Sequence, residues 1–248
     1  MKIALYSDLH LETMRNFPAL AAVPQPAGDV DLIILAGDIH QGTKGLQALA
    51  DRGEEGHIYI AGNHEYYHFD IAEKSGVLNE AIRSNVFLVN NTSVVHKNIK
   101  LVFSTLWSHI NPIHQWQIER SLNDFHVIKH KGYRFSAEQY NQLHSESLKY
   151  IQNEVDTNKE KQIAVFTHHC PTFLNYPEQY KGDLLNEAFA VELHDHIESS
   201  NITCWVYGHH HNNTPEFTIG NTKLITNQLG YVQRNEHQLF ETDKVIEV

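Results

Sequence analysis

Asp31-Leu32-Ile33-Ile34-Leu35-Ala36-Gly37-Asp38 is the stretch that decides the fold. After its first residue the run is apolar as far as Ala36, the pattern of a strand in a sheet covered on both faces. Working outward, Lys2–Tyr6, His57–Ala61, Gln162–Thr167 and Cys204–Tyr207 also read as buried strands. Each of the five runs ends in polar residues: Asp8-Leu9-His10, Gly37-Asp38, Gly62-Asn63-His64-Glu65, His168-His169 and Gly208-His209-His210-His211. A helix is expected over about Thr43–Asp51, between two of these strands. Strands alternating with helices imply parallel pairing, and ligands of parallel sheets collect beyond the carboxyl ends of the strands, where these clusters stand.

The later chain has a different texture. Val86–Val89, Thr92–His96 and Leu101–Ser104 read as short strands punctuated by Asn90-Asn91 and Asn98, with a hairpin expected there. Glu216–Ile219 and Lys223–Thr226 form a similar pair around Gly220-Asn221. These patterns predict a layered α/β domain whose sheets have antiparallel edges. Ser136–Asn153 reads as a helix capped by Ser136, with Tyr140, Leu143, Leu148 and Ile151 on its apolar face. Lys159-Glu160-Lys161 reads as a solvated approach to the next strand.

With 248 residues, 41% hydrophobic and 20% charged, the chain reads as one soluble domain, because clusters from Asp8 to His211 need a shared fold to converge. The apolar runs are too short to span a membrane, and the N-terminus enters a strand pattern directly, so a cytoplasmic location is expected. Two cysteines, Cys170 and Cys204, cannot supply a four-thiolate site or a disulfide framework. Cys170 beside His168 and His169 is read as a bystander rather than a nucleophile. A formal charge of −11 disfavours broad attraction to a nucleic acid backbone and suits a small phosphorylated substrate better.

The clusters pool carboxylates, imidazoles and one amide, a donor set for two divalent metals and hence for a metal-dependent hydrolase acting on phosphate esters. Asp8 and His10 can point to one centre, and Asp38 can bridge two cations. Asn63 can bind through its amide oxygen. His64 can protonate a leaving oxygen or stabilise phosphate charge, and Glu65 is expected to cap the following helix or orient His64. His168 is favoured over His169 as a ligand. His209 and His211 alternate about His210, so that one can serve each cation while His210 faces elsewhere. Trp107–Ser136 is the least regular part and is expected to form a substrate-rim insertion at about 107–136. Rim candidates are His40, His109, Trp116, Arg134 and His169, with His114, Tyr133 and Tyr176 beside them, while Trp107 is assigned to the core.

The ordered set Asp8-x-His10, Gly37-Asp38, Gly62-Asn63-His64-Glu65, His168 and Gly208-His209-x-His211 resembles the calcineurin-like metallophosphoesterases, across about residues 1–230. The resemblance implies a four-layer α/β/β/α sandwich with two mixed central sheets. It implies one cation held by Asp8, His10, Asp38 and His211, and a second held by Asp38, Asn63, His168 and His209. Mn, Fe, Zn, Ni or Co could fill such nitrogen and oxygen sites, as divalent or mixed-valence ions. It further implies attack of hydroxide on phosphorus in line, with His64 assisting the opposite oxygen. Many relatives continue Gly-Asp with another carboxylate, whereas this chain reads Gly37-Asp38-Ile39-His40-Gln41-Gly42 and lacks the phosphoprotein phosphatase pattern. Gln228-Leu229 stands where relatives often carry a basic residue. A nuclease or cyclic-nucleotide phosphodiesterase is the alternative activity, so a nucleotide or nucleic acid is a second substrate class. A scaffold without turnover is the alternative of a different kind.

Overall fold

The structure, a computed structural model, describes residues 1–248 except 17–19, 21, 43, 46–55, 75–80, 84–85 and 158–161. Most of the helix expected at Thr43–Asp51, and the approach at Lys159–Lys161, lie outside the described residues.

The strands are β1 (Lys2–Tyr6), β2 (Leu32–Ala36), β3 (Gly56–Ile60), β4 (Ala81–Arg83), β5 (Val86–Val89), β6 (Thr92–His96) and β7 (Ile99–Ser104). The two-residue pair β8 (Lys129–His130) and β9 (Tyr133–Arg134) follows, then β10 (Gln162–Thr167), β11 (Ile202–Tyr207), β12 (Phe217–Ile219), β13 (Thr222–Thr226) and β14 (Val245–Glu247). Two six-stranded sheets form, in the orders β14-β1-β2-β3-β5-β4 and β12-β13-β11-β10-β7-β6. The inner strands of each pair in parallel, while β14, β4, β12 and β6 are antiparallel edges. The five sequence clusters therefore emerge at the carboxyl ends of parallel strands.

Alternation along the strands builds the layers. Ile3, Leu5, Ile34, Ile58, Ile60, Phe103, Phe166 and Val206 fill the space between the sheets. The opposite side chains of the first sheet, among them Tyr6, Ile33, Leu35 and Tyr59, pack with Met14, Tyr66, Trp107 and Phe125. Those of the second, Val102, Ile163, Val165 and Trp205, meet Ile151, Val155 and Ile197 from the covering helices. The result is a mixed α/β sandwich with two central sheets. The helix Ala137–Asp156 begins with a capping box, in which Ser136 accepts from Gln139 N and the Gln139 side chain accepts from Ser136 N.

The hairpin expected here forms at Asn98, while Asn90-Asn91 makes a turn of another kind. β5 and β6 lie in different sheets, so Asn90-Asn91 is a crossover between sheets, and the hairpin is β6–β7. Asn90 Oδ1 accepts from Thr105 N at 2.9 Å and Asn91 Oδ1 from Ser104 Oγ at 2.8 Å, which ties the crossover to the end of β7. The Phe217–Ile219 and Thr222–Thr226 hairpin forms as read.

Candidate metal centre

Backbone pairing continues past the strand ends and draws the loops together. Asp8 N donates to Gly37 O at 3.0 Å, His10 N to Asp38 O at 3.0 Å, Gly208 N to His168 O at 2.9 Å and Gly230 N to Asp8 O at 2.9 Å. The loops turn sharply: Asp8, His10, Asp38, His209 and His211 have φ of 54°, 44°, 55°, 77° and 54°. Left-handed backbone at a non-glycine costs roughly 1–2 kcal/mol per residue and persists where the surroundings over-determine it. Gly62 and Gly208 permit the closeness. A Cβ on Gly62 would collide with Asp38 Oδ1 and lie 2.7 Å from His168 Nε2, and one on Gly208 would lie 2.6 Å from Asp8 Oδ2.

Beside the trio His10-Glu12-His64, the donor atoms of the described residues form two overlapping four-residue groups, Asp8-His10-Asp38-His211 and Asp8-Asp38-His168-His209, each with its atoms within 4.8 Å of one another. Both carboxylates belong to both groups. His10 Nε2 lies 2.8 Å from His211 Nε2, and His168 Nε2 lies 3.1 Å from His209 Nδ1. Asn63 Oδ1 is 3.3 Å from His168 Nε2.

The outer atom of each imidazole is held by an acceptor. His10 Nδ1 lies 3.3 Å from Glu12 Oε1, His168 Nδ1 2.8 Å from Ala36 O, His209 Nε2 3.2 Å from Ala188 O and His211 Nδ1 2.9 Å from Glu236 Oε2. These contacts suit a proton on each outer nitrogen and turn the inner nitrogens toward one another and the carboxylates, an arrangement that fits cations. Asn63 follows the same rule: its Nδ2 donates to Asp124 Oδ1 at 2.9 Å, so its oxygen faces inward. Tyr67 also donates to Asp124 Oδ1, at 2.7 Å.

Charge follows the same geometry. Burial opposes ionisation of Asp38, but His168 and His64 outweigh it and hold the carboxyl well below the usual range. Burial would lower His64, yet the Asp38 charge and the Glu12 hydrogen bond raise it to about 9. His168 is likewise lifted to about 9 against burial, chiefly by Asp38. Glu12 is held down to about 2, because bonds from His10 and His64 outweigh its burial.

Residues 1–213 match the calcineurin-like phosphoesterase family. The chain belongs to the calcineurin-like phosphoesterases. It is 31% identical over 260 residues to an uncharacterized protein of Acanthamoeba polyphaga mimivirus, covering 93% of this chain and 92% of that one. A phosphopantetheinyl hydrolase from Mycobacterium tuberculosis shares the fold at a TM-score of 0.74 and 16% identity, covering 100% of this chain and 95% of that one. A dimetal phosphatase from Danio rerio does so at 0.51 and 13%, covering 92% and 87%.

In this phosphoesterase a cleft of about 330 Å³ opens beside the two groups, lined by Asp38, Asn63, His64, His209 and His211 on one side. Its outer wall includes Leu122, Tyr176, Tyr180, Leu185 and Phe189, and Arg234 is the one Lys or Arg among the described lining residues. From segment 107–136, Leu122, Asn123 and Asp124 reach the cleft. His40, His109, Trp116, Arg134 and His169 are not among the lining residues. Trp116 is 65% exposed beneath the Arg120 guanidinium, and Arg134 donates to the Phe125 and Glu119 carbonyls. His109 is exposed, with its ring 6.2 Å from that of His144. His40 Nδ1 lies 3.2 Å from Gln41 O, on the Glu12 side. His169 is fully buried, with Nδ1 3.1 Å from Thr105 O and its ring 4.2 Å from that of His209.

Glu65 has a task other than capping. Its Oε2 accepts from Gly62 N at 2.6 Å and Asp38 N at 2.9 Å, and its Oε1 from Ile39 N at 2.9 Å, His40 N at 3.3 Å and the Tyr59 hydroxyl. It holds the Asp38 turn. His210 Nδ1 accepts from Asn212 N at 3.1 Å, and Gln228 Oε1 accepts from His211 N at 2.7 Å, so Gln228 braces the histidine loop. Cys170 is buried, its thiol pushed up to about 12 by burial and donating to Thr172 O. It stays protonated, which removes it as a nucleophile.

Proposed function

We propose that this chain is a dinuclear metal-dependent hydrolase of small phosphate esters. One ion would be held by Asp8, His10, Asp38 and His211, and the other by Asp38, Asn63, His168 and His209. The observation that carries this reading is the set of four imidazoles anchored by their outer nitrogens, with their inner nitrogens converging on two buried carboxylates. A site of nitrogen and oxygen donors without sulfur fits Mn, Fe, Zn, Ni or Co. Bound there, such ions would act as Lewis acids, lowering the pKa of water and neutralising phosphate charge.

The chain's own groups supply the rest. His64 presents Nε2 to the cleft, 3.8 Å from Asp38 Oδ2, and gives its proton to the leaving oxygen. The ring of Tyr67 stacks on it at 4.2 Å. Leu122, Leu185 and Phe189 shield the leaving group from water, and Arg234, lying 5.1 Å over the Tyr231 ring, meets negative charge at the mouth. A cleft of about 330 Å³ suits a metabolite-sized ester, and a formal charge of −11 works against a long nucleic acid.

Protein stripped of metal and reloaded with Mn should hydrolyse an activated aryl phosphate, and Asp38→Asn should lose metal occupancy and turnover together. The same preparation set against monoesters, nucleotides, cyclic nucleotides and oligonucleotides fixes the ester type. Absence of metal-restored turnover across the panel would contradict the proposal, and turnover of oligonucleotides above all small esters would favour a nuclease.

A further inference from the structure

Tyr231 and Arg234 line the cleft with donors that no described residue uses. The loop after β13 carries both, with Arg234 closing the 3-10 turn Val232–Arg234. That loop is closely held. Gly230 N donates to Asp8 O at 2.9 Å, Arg234 N to Tyr231 O at 2.9 Å and Tyr231 N to Glu236 Oε2 at 2.6 Å. A Cβ on Gly230, where φ is 65°, would lie 2.8 Å from Glu236 Cβ and 3.0 Å from His211 Cβ. The Tyr231 ring stacks on His10 at 4.6 Å and 30° and meets the His211 ring at 4.7 Å and 82°. Arg234 lies over the same ring, its Cζ 5.1 Å from the centre. Among the described residues the Tyr231 hydroxyl has no hydrogen-bond partner, and the Arg234 guanidinium has neither hydrogen bond nor ion pair. A half-buried phenol ordinarily finds such a partner. Glu236 does not take the arginine, because its Oε2 accepts from Tyr231 N and faces His211 Nδ1 at 2.9 Å. Arg234 also stands where the cleft meets a second hollow of about 190 Å³, walled by Gln179, Asn212, Asn213, Asn235 and Gln238. Room for a ligand therefore continues past the guanidinium.

We propose that Tyr231 and Arg234 form a subsite for a second phosphate, so that the substrate is a bisphosphorylated small molecule, cleaved at one phosphate and gripped by the other. This rests on the phosphoesterase reading above. Tyr231 lies against two imidazoles of the metal group, and Arg234 lies on its far side at the junction with the second hollow, so the gripped phosphate sits outward of the reacting one. The phenol offers one O–H, and the edge of the guanidinium offers two parallel N–H groups. Three donors match the three terminal oxygens of a phosphate, whereas a carboxylate has two. The guanidinium also supplies charge, which strengthens its bonds to an anion.

The test compares Mn-loaded wild type, Tyr231→Phe, Arg234→Gln and Arg234→Lys, with metal content measured for each. The substrates are bisphosphates of straight-chain diols of graded length and the matching alkyl monophosphates. Calorimetry with the corresponding bisphosphonates, monophosphonates and ω-phosphonocarboxylates reads binding without turnover. Wild type should favour the best-fitting bisphosphate over its monophosphate at least about tenfold in kcat/KM, through KM, with an optimum at one chain length. Arg234→Gln should cut that preference to under about threefold, Tyr231→Phe should cut it part-way, and Arg234→Lys, which keeps the charge but loses the fork, should fall between wild type and Arg234→Gln. Phosphonate affinities should follow the same order. A wild-type preference below about threefold, a preference that Arg234→Gln leaves intact, or a carboxylate arm held as tightly as a phosphonate arm would overturn the proposal. The two readings fail separately. Wild type that turns over no ester yet binds the bisphosphonate better through Arg234 would sink the hydrolase reading and uphold the subsite. Turnover of both series without preference would sink the subsite alone.

Discussion

Replacing Glu65 by glutamine changes one oxygen to an NH2 group at constant volume, so any loss comes from hydrogen-bond chemistry alone. The carboxylate accepts from four backbone N–H groups and the Tyr59 hydroxyl. With the amide NH2 at the Oε2 position, it confronts Gly62 N and Asp38 N, donor against donor. In the other orientation it confronts Ile39 N and His40 N, while the Tyr59 hydroxyl can rotate and accept. The second arrangement is the cheaper, and it still strands two donors, the N–H groups of Ile39 and His40. At about 1–3 kcal/mol for each buried group left unsatisfied, Glu65→Gln should cost roughly 2–5 kcal/mol. For a chain of this size that is a fall in Tm of roughly 5–15 °C. Thermal unfolding of the metal-free protein reads it directly, and metal titration should show weaker binding, because the same N–H groups fix the Asp38 turn. A Tm within about 2 °C of wild type with unchanged metal affinity would refute this account of how the turn is held.

Other consequences are simpler to measure. Gly62→Ala should drive Asp38 and His168 apart and cut both metal content and turnover at least tenfold, whereas Gly28→Ala, whose Cβ would meet nothing within 4 Å, should match wild type in both assays. Because the folded His64 pKa is raised to about 9, its contribution to stability is full below 6.5 and lost as pH rises through 9. Urea unfolding of metal-free wild type and His64→Asn should therefore show a stability gap that narrows from pH 6.5 to 9, and a widening gap would contradict the charge balance described. Chelation should lower Tm by roughly 5–10 °C at metal levels about 100-fold over Kd, and Mn should restore it. Calorimetry with and without chelator checks this, and an unchanged Tm would deny that the folded state holds metal.

The parallel strands and their polar ends were legible because apolar runs such as Leu32–Ala36 and Ile163–Phe166 stop at glycine, aspartate or histidine. What escaped the sequence was the layer that holds those residues. His64 meets Glu12 from 52 positions away, Asn63 meets Asp124 from 61, and His211 meets Glu236 from 25. No local periodicity marks such pairings, although Glu12 does extend the alternation Asp8-Leu9-His10-Leu11-Glu12. The cleft wall was hidden for another reason. Tyr180 and Leu185 sit in the 3-10 turns Glu178–Tyr180 and Leu184–Ala188, too short to leave a helical pattern. Asn90-Asn91 shows the limit of turn chemistry: asparagine marks a change of direction but does not say whether the next strand joins the same sheet.

The central claim is that two ions share this cluster. A crystal of Mn-loaded protein, with anomalous scattering recorded at the Mn edge and metal content measured on the same sample, tests it most directly. Two peaks about 3.5–4 Å apart are expected, one among Asp8, His10, Asp38 and His211 and one among Asp38, Asn63, His168 and His209. A single peak at full loading, or a pair that leaves Asp38 outside both coordination shells, would contradict it.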